Sequence, residues 1–483
     1  MQAIRTAPPP KGQGEAPPLG LRPAVLYFAQ FTAFASPGRF LSVFLRAYGL
    51  SDAAVGAVLA GPSVLSLGSL ILGGLFADAA PSGAVRTILG GNVVSLAFFL
   101  TLAVTPLLPP LARLPWVAVA VTGAKVSRAV VNPVIDAYTL RYLAASAAGG
   151  DDDDDGGRAV AEAKMRYGVE RAAGAVAWAA TSLALGAAID AVGFGVVYVF
   201  RVVTTAAVVG LVVWAFNFLE ARPLVAEPPP PAAAYGASDA TPAEDAAGTA
   251  IEVSQADGMA TSPSTQAAAA SPAPFQSGDA LAFAASLLCV PYSAVLLCAV
   301  GVLNVGTALV ENLAFLFWVG DLHATNTLCG VAVVITIIFE VPLFAISPWL
   351  SRHLSAPAML LTAMVCYCIR VAVYVNISDP RYVLFVEPLH GVTFTLMNLA
   401  TVAEASRLAP PHLQSTGQAF ISVVRTVGTI VGTLGGSAVM QWAGSTVAYG
   451  VAGGLVAAAA VAYGCVVWCE RREGEVPGTD VAG

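Results

Sequence analysis

The chain has 483 residues, of which 57% are hydrophobic and only 11% charged, and its formal charge is −7. With a mean hydropathy of +0.75, against the roughly 25% charged residues of a soluble chain, a soluble globular protein is excluded. No basic stripe is present to bind nucleic acid, and the negative charge, concentrated in loops, says nothing about partners.

Residues 1–22 form a polar, Pro-rich tail. The apolar stretch after it is far longer than a signal-peptide core and is predicted to remain as a helix. A spanning helix needs about 20 apolar residues. Such stretches occur at 23–47, 52–77, 85–108, 115–141, 164–190 and 194–219, then at 284–318, 327–349, 356–376, 382–406, 413–440 and 445–468. The sequence therefore predicts an all-α integral membrane protein with two groups of six helices, 23–219 and 281–468. Between them, 220–280 is low in complexity and acidic, reading as a disordered linker. The run Asp151 to Asp155 reads as a solvated insertion, and 469–483 as a C-terminal tail.

Lys and Arg in the loops set orientation. With the N-terminus cytoplasmic, inside segments hold Arg5, Lys11, Arg22, Arg86, Arg141, Arg158, Lys164, Arg166, Arg222, Arg352, Arg407, Arg471 and Arg472. Outside segments hold only Arg46, Arg113 and Arg381, so both termini are expected in the cytoplasm. The seven cysteines all lie in the second half without a CxxC pair or a Cys/His cluster, so no metal site is expected.

Charged residues interrupt the spans: Arg39, Lys125, Arg128, Asp136, Arg171, Glu311, Glu340, Arg370, Glu387, His390 and Arg425. A charge at the bilayer centre costs about 2.5–3.5 kcal/mol on insertion scales, so these residues point to a polar pathway between the helices. The halves also look like repeats. Arg171-Ala-Ala-Gly174 in the fifth span recurs as Arg425-Thr-Val-Gly428 in the eleventh, and six plus six around a linker is a layout of transporters built from repeated bundles.

The second span ends Gly73-Gly74-Leu75-Phe76-Ala77-Asp78, with Arg86 following. This resembles the cytoplasmic loop signature of the major facilitator superfamily, although Ala79 stands where that family has Arg and the spacing to Arg86 is stretched. Tyr167-Gly168 through Arg171, Gly174 and Trp178 resembles the fifth helix of the branch containing lactose-permease-like and nucleoside–proton symporter relatives. Glu311-Asn312, Glu340-Val-Pro342, Glu387-Pro388-Leu389-His390-Gly391 and Ala409-Pro410-Pro411 follow the same branch in order. The resemblance implies twelve helices in two bundles around a central cavity lined by the first, fourth, seventh and tenth.

Glu387 and His390 are three apart and share a helix face. A carboxylate and an imidazole there suit proton relay; a structural pair bracing the helix at Pro388 is the alternative. Arg425, deep in the eleventh span, needs a partner, with Glu387 and Glu311 as candidates and Arg370 competing for them. These four groups, Glu387, His390, Arg425 and Glu311, are assigned to proton coupling. Lys125 and Arg128 read either as an anion contact or as partners of an acid in their own half, and with Arg39 they are assigned to the substrate cavity. Asp136 and Arg171 lie at matching depth and are expected to pair. With Gly74 and the Asp78–Arg86 latch they form the gating set, a charge-assisted contact that differs between states. Gly428, Gly432 and Gly436 form a stripe expected to pack on the second span, which offers Gly61, Gly68 and Gly74.

The leading expectation is a proton-coupled secondary transporter of a small polar solute, working as a monomer in the bilayer without a cofactor. The rival is a transporter-fold receptor or scaffold that uses its linker. No nucleotide loop, catalytic metal set or nucleophile elbow supports an enzyme.

Overall fold

The computed structural model describes residues 21–78, 82–147, 156–216, 285, 287–410 and 414–473. The linker 220–280, the acidic run Asp151–Asp155, the N-terminal tail to residue 20 and residues 474–483 lie outside them.

Twelve helical spans follow in chain order. The first, α1, comes in two pieces, Pro23–Ala35 and Leu41–Ala47, joined through a 3-10 turn at Gly38–Phe40. Then come α2 (Asp52–Asp78), α3 (Gly83–Leu100, continued by a 3-10 turn Thr101–Leu107), α4 (Pro110–Ala129 and Val131–Ala147), α5 (Gly156–Val192) and α6 (Val196–Phe216). The second set is α7 (Pro291–Gly320), α8 (Asn326–Ala345), α9 (Ala356–Asn376), α10 (Val383–Leu408), α11 (Gln414–Ala443) and α12 (Ser445–Glu473). Ten of these segments are long and apolar enough to cross a membrane. Of the other two, α1 is broken in the middle. The last helix runs to Glu473, five residues past its expected end, because the amphipathic Trp468–Glu473 turn carries Arg472 over the Trp468 ring at 3.9 Å.

Local chemistry sets several boundaries. Proline opens α1, α4, α7 and α9, where a missing N–H costs nothing. The Thr325 hydroxyl accepts from the Leu328 N–H at 3.1 Å and caps α8. Gly193 and Gly444 turn the chain between α5 and α6 and between α11 and α12 with φ of +83° and +89°, a conformation that disfavours any side chain.

Packing repeats between the halves. In the first, α1 packs on α5 and α6, α3 on α4 and α6, and α2 on α4; in the second, α7 packs on α11 and α12, α9 on α10 and α12, and α8 on α10. The pattern is the same with each number raised by six. The halves meet chiefly along two seams, α2 with α11 and α5 with α8, and α1 also packs on α7.

Both seams close at the face where α1 meets α2 and α5 meets α6, called here the far face; the face holding the start of α1 and the end of α12 is the tail face. At the far face the Asp190 carboxylate accepts from the Asn326 N–H (2.9 Å), the Asn326 amide (2.8 Å), the Thr327 N–H (2.7 Å) and the Thr327 hydroxyl (2.6 Å). The Ala53 N–H donates to Gln441 Oε1 at 2.9 Å, and a Cβ at Gly56 would overlap Ser437. Elsewhere on α2, a Cβ at Gly61 or Gly68 would meet open space.

The glycine stripe of α11 therefore serves a different contact from the one expected. Cβ atoms at Gly428, Gly432 and Gly436 would run into Gly301, Val305 and Leu309 of α7, within the same half. The reason is azimuth: the stripe faces the α7 backbone, and it is Thr433 and Ser437 beside it that meet Gly56 of α2.

Candidate functional site

A cavity of about 1590 Å³ lies between the halves. It reaches from Leu41 and Ser42 of α1 down to Tyr167 of α5 and Phe344–Pro348 at the end of α8, so it opens towards the tail face. The resemblance implied α1, α4, α7 and α10 as its lining; α3, α5, α6 and α8 contribute as well. Its charges are segregated. The first half supplies Arg39, Lys125, Arg128, Arg171 and Arg201, and the second supplies Glu311 and Glu340.

Behind the far-face end of the cavity sits a closed polar network. Glu387 is fully buried and accepts from Arg370 Nη2 (2.8 Å), the Tyr374 hydroxyl (2.6 Å) and the Thr336 hydroxyl (2.9 Å). Arg370 is 1% exposed and also donates from Nε to the Tyr374 oxygen at 2.9 Å. A carboxylate with two hydroxyl donors and a guanidinium partner is what a charge needs to persist without water.

His390 extends this network across the seam. Its Nδ1 lies 2.6 Å from Arg370 Nη1, and its Nε2 lies 2.8 Å from Arg39 Nη2 of the other half. A guanidinium only donates, and a neutral imidazole accepts at one nitrogen. Only one of these contacts is therefore a hydrogen bond in either tautomer, and a doubly protonated ring would accept neither. Arg39, expected in the substrate cavity, does line it, and through His390 it also reaches the Glu387 network.

Arg425 takes neither of its expected partners. Its Nη1 donates to Asn398 Oδ1 at 2.9 Å and its Nε to Asn304 Oδ1 at 3.4 Å. On α10, Asn398 is level with Arg425, while Glu387 lies about 16 Å away along the helix at 1.5 Å per residue. Glu311 is about 10 Å along α7 from Asn304 by the same rise. Arg370, on the helix packed beside α10, holds Glu387 instead.

Lys125 and Arg128 face the cavity with little from the protein to answer them. Lys125 Nζ donates to the Leu59 carbonyl at 3.4 Å, and Arg128 Nη1 to the Phe34 carbonyl at 3.5 Å. Arg128 also sits 3.9 Å over the Phe34 ring. Among the described residues no carboxylate lies within salt-bridge range of either.

Arg201 was missed in the sequence reading. It is 1% exposed and donates to the Ala33 and Ser36 carbonyls and, at 2.7 Å, to the Ser95 hydroxyl. Pro37 has no N–H for the Ala33 carbonyl four residues before it, so Arg201 satisfies the acceptor that the break in α1 leaves open. The available signal was a lone Arg in the sixth apolar run opposite a Ser36-Pro37-Gly38 interruption in the first.

The gating set is rearranged. Among the described residues no ion pair joins Asp136 and Arg171. The Tyr27 hydroxyl donates to Asp136, and Arg171 Nη1 donates to the Tyr167 hydroxyl at 3.1 Å, so two tyrosines stand between the charges. Glu170, also missed, is buried and accepts from the Ala24 N–H at 2.8 Å and Arg22 at 3.4 Å, holding the start of α1. Asp78 closes α2, but its side chain lies outside the described residues, as does the surrounding of Gly74; Arg86 is exposed near the start of α4's neighbour α3.

Comparison with known proteins places this geometry. The family model described as "MFS_1 like family" matches residues 21–451. No curated protein matches the chain. Among solved structures, the nucleoside transporter NupG has a TM-score of 0.61 at 13% identity, covering 93% of this chain and 99% of that one. The peptide transporter POT has a TM-score of 0.60 at 11% identity, covering 93% and 94%. A bacterial homologue of the human lysosomal transporter Spinster, in an inward-facing conformation, has 0.55 at 13%, covering 92% and 95%. At such identities the likeness is one of fold.

Proposed function

We propose that this chain, which belongs to the MFS_1 like family and has the major facilitator fold, is a secondary transporter that moves a small polar solute by alternating access and draws on protons. The observation that carries the reading is the cavity between two repeated halves, shut at the far face by Asp190, Gly56 and Gln441 and open at the tail face. A pocket that faces one side only, bounded by seams with few polar fastenings, is the geometry of a carrier caught in one of two states.

Orientation by the positive-inside rule makes the tail face cytoplasmic. On this reading the solute sits among Arg39, Lys125, Arg128, Glu311 and Glu340. The proton acts at the Glu387–Arg370–His390–Arg39 chain, because among the described residues that chain links a buried carboxylate to the other half through a titratable ring. Protonating Glu387 frees Arg370, and protonating His390 turns its ring from acceptor to donor against Arg39. The first event loosens α9 from α10 and the second loosens α10 from α1. Asp136, Arg171, Gly74, Asp78 and Arg86 act at the tail face, where the pathway must close in the opposite state.

The test is uptake into liposomes containing the purified protein under an imposed pH gradient. Glu387→Gln is expected to abolish the response to the gradient while leaving solute exchange at equal pH. Gradient-driven uptake that persists unchanged in this variant refutes the proton role.

A further inference from the structure

We infer that the solute is an aromatic organic acid, with its anionic group at Lys125 and Arg128 and its ring against Phe34 and Trp178. The inference rests on the carrier reading and names the substrate class of the same cavity.

The first observation is an unanswered charge. Within a membrane cations are paired or placed against carbonyls. Arg201 meets that rule with three acceptors. Lys125 and Arg128, three residues apart on α4, each have one carbonyl at the outer limit of hydrogen bonding, and both line the cavity. An anion entering from the open face is the missing partner, and Arg128 offers it a planar fork.

The second observation is the wall beside them. Phe31, Phe34 and Trp178 form a continuous series with ring centroids 5.9 and 5.5 Å apart, and Arg128 lies on the Phe34 ring. Across the cavity Phe344 and Phe394 meet edge to face, with ring centroids 6.4 Å apart. A flat apolar body packs favourably against such aromatic walls. Glu311 and Glu340 occupy the opposite half, where they repel a second negative charge and admit an amine.

The test uses three probes of one shape: 1-naphthylacetate, its neutral amide, and 1-naphthylmethylamine. Benzenesulfonate, a monoanion, is included as a second acid. Thermal unfolding of the purified protein is expected to shift upward with the acids and not with the amide or amine. In Lys125→Gln/Arg128→Gln the affinity for the acids is expected to fall about a hundredfold. In Arg128→Lys, which keeps the charge and loses the fork, it is expected to fall about tenfold. The double substitution removes cations that each hold only one long hydrogen bond to a carbonyl, so the ligand-free unfolding temperature should hold or rise. A clear drop would mean that the pair is structural and would overturn the inference. No shift with either acid, or an equal shift with the amide, would overturn it too. Counterflow in liposomes separates the two levels. Acid binding without exchange refutes the carrier reading and leaves the substrate class standing. Exchange of the amide or amine alone does the reverse.

Discussion

Replacing Arg370 by Met asks how much the Arg370–Glu387 pair contributes. The guanidinium is 1% exposed and the carboxylate 0%, so solvent cannot stand in for either. Removing one member of such a pair costs about 3–5 kcal/mol, because the survivor keeps its charge without compensation. Glu387 would retain the Tyr374 and Thr336 hydroxyls, at 2.6 and 2.9 Å, which places Arg370→Met near the lower end of that range. Arg370→Met/Glu387→Leu removes both charges and should recover most of the loss, since hydrophobic replacement of a whole buried pair is often neutral. The assay is equilibrium unfolding of the purified protein in mixed micelles, run as a double-mutant cycle. A loss below about 1 kcal/mol in Arg370→Met, or a double variant as unstable as the sum of its singles, would refute the reasoning. Either result would mean that water or a rearranged partner supports Glu387.

Three further outcomes are expected. Arg201→Met leaves the Ala33 and Ser36 carbonyls and the Ser95 hydroxyl without their donor. It should destabilise the protein by about 2–4 kcal/mol from the unsatisfied groups, read by the same unfolding assay; a change under 1 kcal/mol would show that the break in α1 closes on itself. Gly432→Val would drive a side chain into the Val305 backbone of α7 and should abolish folded yield, whereas Gly61→Ala, facing open space, should leave yield and melting unchanged. Asp190→Ala removes four hydrogen bonds from the α5–α8 seam in an exposed setting that weakens each. It should raise the share of molecules open at the far face about tenfold, measured by far-side labelling of Asn312→Cys with an impermeant thiol reagent. Unaltered labelling would mean that the seam is held by packing alone.

The twelve spans and the doubled architecture were legible because a bilayer demands long apolar runs and the Arg-x-x-Gly pairs mark equivalent helices. The charged positions were legible too, as interruptions in those runs. Their partners were not. Sequence gives depth along a helix but neither the neighbouring helix nor the direction a residue faces. Glu387 and Arg370 are both near the far-face ends of α10 and α9, which pack together, while Arg425 lies towards the other end of the membrane. Counting residues from the span ends favours Arg370 over Arg425 without any coordinates. The glycine stripe carries no such depth cue to its partner, since α2 and α7 both flank α11. Arg201 was overlooked because its purpose lies in Pro37, five helices earlier in the chain.

The uneven distribution of charge around the cavity also ties the protein to voltage. In the proposed alternating-access cycle the cations of α4 exchange access to one side of the membrane for access to the other, and each whole charge so transferred couples to about 2.3 kcal/mol per 100 mV. An empty cavity takes this positive charge with it, and a bound anion cancels part of it. The membrane potential therefore acts most strongly on the unloaded return step. On the proposed orientation, a negative interior holds the cations facing the tail face, towards which the cavity opens.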